Sequence, residues 1–457
     1  MGGNACKHRP SLEVLFMAID YRQRRKTLRE SFAGRDILIL SATNVPRNYA
    51  ANVYPFHQDA TFRYYTGLNI PDAAIILSAD GRETLFVTKP DADDYIWTGA
   101  VDSPDVLAAR SGIENVGDYE TIERSFDARM AWFTPYDAHL RERLARWLGV
   151  SAQAVCDHNE PELCRAIANQ RLVKSAEEIA EMESAIALTK EMLAMAQTEM
   201  VAGRLESDVL AALLRPAIAA ERAQSFEPIV TTHGETLHST SYRNVLKSQD
   251  ILLVDCGAES ELGYCADITR TFSIGAWDSA KREIYDVVLK MQLAGIAKAG
   301  EKGASQYDVH MAACRVLTEN LQALGLMKGD VEESLRAGAH ALFMPHGIGH
   351  ALGLDAHDME NFGDVVGYEN GARRSTQFGL NALRFARQLK PGYVVTVEPG
   401  CYFIPALIEK WRSEHHLEQF ICYEKVAKYN DMRGIRIEDD VVITDDGCRV
   451  LGPGIEK

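Results

Sequence analysis

The sequence has 457 residues, with 65 acidic against 49 basic side chains and a formal charge of −16 when histidine is neutral. A single hydrophobic core stops growing at roughly 250–300 residues, so about two domains are expected. Hydrophobic residues at 46% and charged residues at 25% describe a globular protein. The acid excess excludes the basic face a nucleic-acid binder needs, and no run reaches the roughly 18 apolar residues of a membrane helix.

The first sixteen residues lack the basic-then-apolar layout of a secretory signal. Leu12-Glu13-Val14-Leu15-Phe16 resembles the front of an engineered protease-cleavage site, so residues 1–16 are read as a tag or disordered extension and Met17 as the native start. The nine cysteines, Cys6 among them, are scattered and contain no Cys-x-x-Cys. That pattern predicts neither a zinc knuckle nor a disulfide framework, and a reducing, cytoplasmic location.

From Tyr21 a basic helical segment leads into a short apolar run, 36–40, that reads as a buried strand. Further strand-like runs at 74–77 and 84–87 flank the turn-like Ala79-Asp80-Gly81-Arg82. Strands alternating with helices predict a small α/β domain over 17–168, without a catalytic constellation of its own. A boundary is expected near Arg171–Lys174, and a catalytic domain over 169–457. Ser175 with Glu178 forms a capping box, and behind it Ile179, Met182, Ile186 and Leu193 share one face of a long helix. Helices are expected near 279–298 and 305–324, and strands at 251–255, 393–397 and 441–444. No internal repeat stands out.

Four acids sit at or beside these apolar strands. Asp255 ends one, Asp267 opens the next after a Glu261-Leu262-Gly263 turn, Glu398 ends a third, and Glu438 lies within a strand expected over 435–440. Buried carboxylates are costly unless something cationic compensates them. Any one of them alone is more often a strand-end or turn acid. Four of the thirteen histidines, His340, His346, His350 and His357, cluster in one short stretch, and His233 and His238 precede the Asp255 strand. A lone histidine is usually a satisfied core or surface residue; a cluster beside several carboxylates is a metal-site candidate. One imidazole with four carboxylates suits Mn²⁺, Co²⁺ or Zn²⁺, and four negative charges balance two such ions. The glycines around His346 and His350 match neither Gly-x-Gly-x-x-Gly nor a phosphate loop.

The motifs from Phe56-His57-Gln58-Asp59 through Gly67-Leu68 to Gly434-Ile435-Arg436-Ile437-Glu438 resemble the proline-specific branch of the pita-bread metallopeptidases, peptidase family M24B, which includes prolidase and aminopeptidase P. The resemblance implies an α+β chain with a C-terminal pita-bread domain behind a smaller α/β domain. It implies Asp255, Asp267, His350, Glu398 and Glu438 as ligands of two divalent ions, Mn²⁺ foremost, with Asp267 and Glu438 bridging. It further implies Glu398 as proton shuttle, His238 and His357 as substrate and oxyanion contacts, His346 as a catalytic or supporting residue, and Arg436 as a partner of the carboxylates and a substrate contact. Arg384, within 383–392, matches the position that pairs with a dipeptide's carboxylate in prolidase, and the long stretch 402–433 is also prolidase-like. The segment 59–71 reads equally well as aminopeptidase P. The balance favours an Xaa-Pro dipeptidase, with an aminopeptidase acting on longer peptides as the alternative. An inactive binding module or a metal-free creatinase type would show gaps among the five ligands, and none exists. A proline-containing peptide partner and a homodimer, with residues 55–68 facing the neighbour, complete the expectation.

Overall fold

The computed structural model describes residues 19–127, 129–158, 160–369 and 371–457. The extension read over 1–16, the start at Met17 and Cys6 lie outside the described residues.

The N-terminal half is a four-stranded sheet in the order Ile37–Leu40, Ala73–Leu77, Glu83–Val87, Asn115–Asp118, antiparallel except for its last pair. The uninterrupted apolar run of the first strand is explained by its burial on both faces. Helices Tyr21–Ser31, Ala60–Thr66, Pro104–Ser111 and Ala138–Leu148 surround the sheet. Arg24 and Arg25 of the basic first helix are buried. Their guanidinium groups go to Glu178, 3.0 Å away, and to Glu83, 2.7 Å away.

The C-terminal half runs through one order of elements twice. Helices Ala176–Gln197 and Glu206–Ala219 precede the antiparallel strands Ile229–Thr231, Ile251–Cys256 and Ile268–Ser273. Helices Ser279–Ala299 and Gln306–Ala323 then precede Val394–Val397, Asp439–Thr444 and Gly447–Val450, with Gly400–Tyr402 paired to Gly434–Arg436. The repeat missed in the sequence is short but present: Gly203-Arg204-Leu205-Glu206-Ser207-Asp208-Val209 against Gly303-Ala304-Ser305-Gln306-Tyr307-Asp308-Val309. Both glycines are left-handed, at φ +96° and +85°. Asp208 and Asp308 each accept a hydrogen bond from the backbone N–H at the helix start, 2.9 and 2.8 Å away.

The capping box at Ser175 and Glu178 forms as expected, and Met182, Ile186 and Leu193 are buried behind it. The strand expected over 435–440 is instead two strands, broken at Ile437-Glu438. Its partner breaks opposite, at Glu398-Pro399. Proline has no N–H to give a ladder, so pairing changes partner there. Val394–Val397 pairs with Asp439–Thr444, and Gly400–Tyr402 pairs with Gly434–Arg436.

The two halves share a core. Leu28, Ile37, Phe62 and Tyr65 pack in the same apolar cluster as Met182, Ile186, Leu352 and Val394. Asp358 is buried at the seam, 2.6 Å from Arg171 and 3.3 Å from Lys174. Within residues 55–68, Pro55 and His57 are exposed while most of the rest is buried. Ala60, Phe62, Tyr64, Tyr65 and Leu68 are buried, and His57 approaches Glu259 and Asp355 of the same chain at 3.4 and 3.5 Å. The stretch 402–433 is scaffold: helix Pro405–Ser413 sets Ile408 and Trp411 into the core.

Candidate metal centre

Asp255, Asp267, His350, Glu398 and Glu438 line one cavity of about 550 Å³. Antiparallel pairing of Asp255 with Thr269 puts Asp267 diagonally across the sheet from Asp255. The paired breaks free Glu398 and Glu438 from ladder pairing, while their N–H groups go to Ile348 O at 2.8 Å and Thr269 O at 3.1 Å.

His350 reaches this wall on a loop laid against Val394–Val397. Thr396 N donates to His350 O, and His350 N donates to Thr396 Oγ1 at 3.2 Å. The contact leaves no room for a side chain at Gly349, where a Cβ would lie 2.0 Å from Thr396 O. His350 Nδ1 lies 3.1 Å from Ala351 O. A carbonyl only accepts, so Nδ1 carries the proton and Nε2 keeps its lone pair for a cation. That Nε2 is 3.4 Å from Asp267 Oδ2 and 3.7 Å from Glu398 Oε1. One donor atom each of Asp267, His350 and Glu438 falls within 4.8 Å of the others.

Burial, and then the neighbouring carboxylates, push the Asp267 and Glu438 carboxyls well above the usual range. Burial raises Glu398 to about 7. Among the described residues Asp255 Oδ1 is buried without a hydrogen-bond partner, while Oδ2 accepts from Arg436 Nη2 at 2.6 Å. Four carboxylates and one freed imidazole nitrogen are the donors a pair of hard or borderline divalent ions takes, so the residues fit such ions.

Arg436 is 4% exposed, and its other nitrogens donate to Thr269 Oγ1 at 3.2 Å and the Tyr402 hydroxyl at 3.1 Å. With every nitrogen engaged inside the wall, it is a counter-charge to Asp255. Arg436 also lines the cavity. Tyr402 relays the contact to His346 Nε2, 2.9 Å away, while His346 Nδ1 donates to Gly347 O at 2.7 Å. Burial holds His346 down to about 3, so the ring is neutral.

His238 is exposed on the cavity wall, and burial followed by the Arg436 charge lowers its pKa. His357 stacks at a tilt on His350, ring centroids 4.1 Å apart. Its Nδ1 meets Glu360 and, at 3.2 Å, Arg384 Nη1, which leaves Nε2 for the cavity. Arg384 Nη1 is also 2.6 Å from Glu360 Oε1. The hydrogen bond from His357 holds the Glu360 carboxyl down at about 2. His357 and Arg384 also line a second cavity of about 1,000 Å³ between the halves, which Tyr54, Phe56 and Tyr136 flank on the N-terminal side. His233 lies apart from the wall, 3.0 Å from Glu235.

Thr269, Tyr402 and Glu360 belong to the site and escaped the sequence reading. The signal for Thr269 existed: Asp267, Thr269 and Thr271 alternate onto one strand face. Thr269 Oγ1 donates to Glu438 Oε2 at 2.7 Å.

Comparison with known proteins agrees with this geometry. The model of metallopeptidase family M24 matches residues 180–445, and that of the aminopeptidase P N-terminal domain matches residues 21–132. A probable Xaa-Pro aminopeptidase of Botryotinia fuckeliana is 34% identical over 407 residues, covering 86% of this chain and 84% of its own. One of Emericella nidulans is 33% identical over 410 residues, covering 86% and 85%. Among solved structures, the aminopeptidase PepP of Pseudomonas aeruginosa is 27% identical with a TM-score of 0.77, over 94% of this chain and 93% of that one. Aminopeptidase P of E. coli in its low pH form is 27% identical, with a TM-score of 0.76 over the same shares. The carboxylate wall, the small α/β half before it and these matches agree: the chain is a metallopeptidase of family M24, with a pita-bread catalytic domain behind an aminopeptidase P N-terminal domain.

Proposed function

We propose that this chain is an Xaa-Pro aminopeptidase, releasing the first residue from peptides longer than two residues that carry proline second. The observation that carries the reading is that the catalytic cavity shares His357 and Arg384 with a second space of roughly 1,000 Å³ between the halves. A dipeptide ends at its proline carboxylate and needs no such extension. Arg384, one of the two features behind the dipeptidase reading, is paired with Glu360. The names of the relatives support the same alternative.

Asp255, Asp267, His350, Glu398 and Glu438 would hold two divalent ions, with Mn²⁺ our first assignment. When bound, such a pair supplies a water of lowered pKa and polarises the scissile carbonyl. Glu398, beside the position of the attacking water, would accept its proton and return it to the leaving proline nitrogen. His238 and His357 Nε2 flank the carbonyl oxygen as it gains charge. Tyr402 and His346 hold the Arg436 side of the wall in register. We further place the enzyme as a homodimer in a reducing compartment. The first rests on family resemblance, the second on the free state of all eight described cysteines.

The test compares hydrolysis of Xaa-Pro-Yaa and Xaa-Pro peptides, with Mn²⁺ supplied and then removed by chelator. Mn²⁺-dependent cleavage of the longer peptides, abolished in Glu398→Ala and His350→Ala, is expected. Cleavage of dipeptides alone would return the assignment to a dipeptidase, and wild-type turnover in either variant would remove the mechanism.

A further inference from the structure

A second cluster of metal-binding residue types lies away from the carboxylate wall. His310 and Cys314 stand one turn apart on helix Gln306–Ala323, and His340 lies in the 3-10 turn Ala339–Leu342 packed against it. Donor atoms of the three fall within 4.8 Å of one another, and each residue is fully buried. His310 Nε2 and Cys314 Sγ are 3.4 Å apart. Sulfur and nitrogen sharing a tetrahedral ion, at about 2.3 and 2.0 Å from it, would be roughly 3.5 Å apart. The separation is close to that of two ligands on one centre.

Three ring nitrogens here lack a hydrogen-bond partner among the described residues: Nδ1 of His310 and both nitrogens of His340. An unmet buried polar atom costs about 1–3 kcal/mol. A core histidine usually satisfies at least one nitrogen, and three unmet in one place call for a ligand. The surrounding core is apolar, with Leu317, Leu335, Leu342 and Phe343 in the same cluster.

Charge decides which cation fits. A divalent ion on one thiolate and two neutral imidazoles leaves a net +1 in this core, where no carboxylate belongs to the donor set. A monovalent ion leaves the complex neutral, and thiolate with imidazole suits a soft, closed-shell ion. We infer that His310, Cys314 and His340 form a third metal site that takes Cu⁺. On binding, the S–H bond of Cys314 breaks, a Cu–S bond forms and the proton leaves to solvent, with no change of oxidation state. Burial keeps His310 at about 3 and His340 at about 4, so both rings are neutral ligands throughout the physiological range. The ion would tie the helix to the turn that leads into His346 and His350, and so brace the catalytic loop from behind.

The test is an ion count on the full chain. Protein is produced in copper-supplemented medium, so that the ion is present as the core closes. It is kept reduced, treated with chelator to empty the catalytic wall, and analysed by elemental mass spectrometry. One copper per chain is expected in the wild type, with X-ray absorption showing one sulfur and two nitrogen neighbours. In Cys314→Ser and in His310→Gln the copper should be lost, while Mn²⁺ still restores peptide hydrolysis, which shows the variants fold. No copper in the wild type, zinc in its place, or an unchanged count in both variants would overturn the inference.

Discussion

Emptying the carboxylate wall should invert the pH dependence of stability. Glu398 is raised from 4.5 to about 7 by burial, so the folded metal-free chain keeps its proton where the unfolded chain has lost it. Stability tied to such a group is present below the unfolded pKa and is lost as pH rises through the folded one. A displacement of about 2.5 pH units corresponds to about 3 kcal/mol in full, and about 2 kcal/mol of it falls between about pH 5.5 and about pH 8. Unfolding entropy of about 2.1 cal/mol/K per residue makes about 1 kcal/mol/K for a chain of this length, so Glu398 alone moves Tm by about 2 °C. Asp267 and Glu438 are raised for the same cause and act in the same direction. Ligated carboxylates must be deprotonated, so bound Mn²⁺ stabilises more as pH rises. Thermal melts of chelator-treated protein should therefore fall by several degrees from the lower pH to the higher, and Mn²⁺ should recover more at the higher. The −16 charge also favours the lower pH, so the control is Glu398→Gln, whose metal-free fall should be smaller by about 2 °C. An equal fall in wild type and variant, or a metal-free Tm that rises with pH, would refute the reasoning.

Asp358→Asn leaves Arg171 and Lys174 buried without their charge partner, at a cost of about 3–5 kcal/mol and a Tm loss of about 3–5 °C; an unchanged melt would show the triad contributes nothing. Gly349→Ala drives a methyl into Thr396 O and displaces His350, so calorimetry should find Mn²⁺ affinity down by at least about tenfold. Native-like affinity would mean the loop yields freely. Tyr402→Phe removes the hydroxyl between Arg436 and His346, worth about 0.5–1.5 kcal/mol, so kcat should drop roughly three- to tenfold with metal content intact. An unchanged kcat would remove Tyr402 from the positioning chain.

Where burial alone dictates structure, the sequence was legible. The runs at 36–40, 74–77 and 251–255 are strands because a two-sided core asks only for apolar residues, and the Ser175–Glu178 box states its own helix start. The acids and three of the clustered histidines, His346, His350 and His357, converge on one wall because charge in a core must find a partner, while His340 lies elsewhere in the core. Pairwise choices were not legible. Nothing local says that Glu398-Pro399 breaks opposite Ile437-Glu438, since each break makes sense only against the other strand. Which groups Arg436 meets was hidden because its partners, Asp255, Thr269 and Tyr402, come from three distant segments. Arg384 was matched to a dipeptide's carboxylate, and its ion pair with Glu360 was not legible beforehand. The repeat at Gly203 and Gly303 was overlooked because it survives only at the two turn corners, where backbone geometry tolerates few residues.

The seam between the halves makes them one folding unit despite their separate family matches. Glu178 and the Tyr264 hydroxyl meet Arg24 of the first helix, at 3.0 and 3.3 Å, and the apolar cluster there draws on both sides. Freed of residues 19–150, the catalytic half would present an acid without its cation and a broad greasy face to water. Such a fragment should precipitate instead of working slowly, and grafting a different front half would mean rebuilding the contact surface residue by residue.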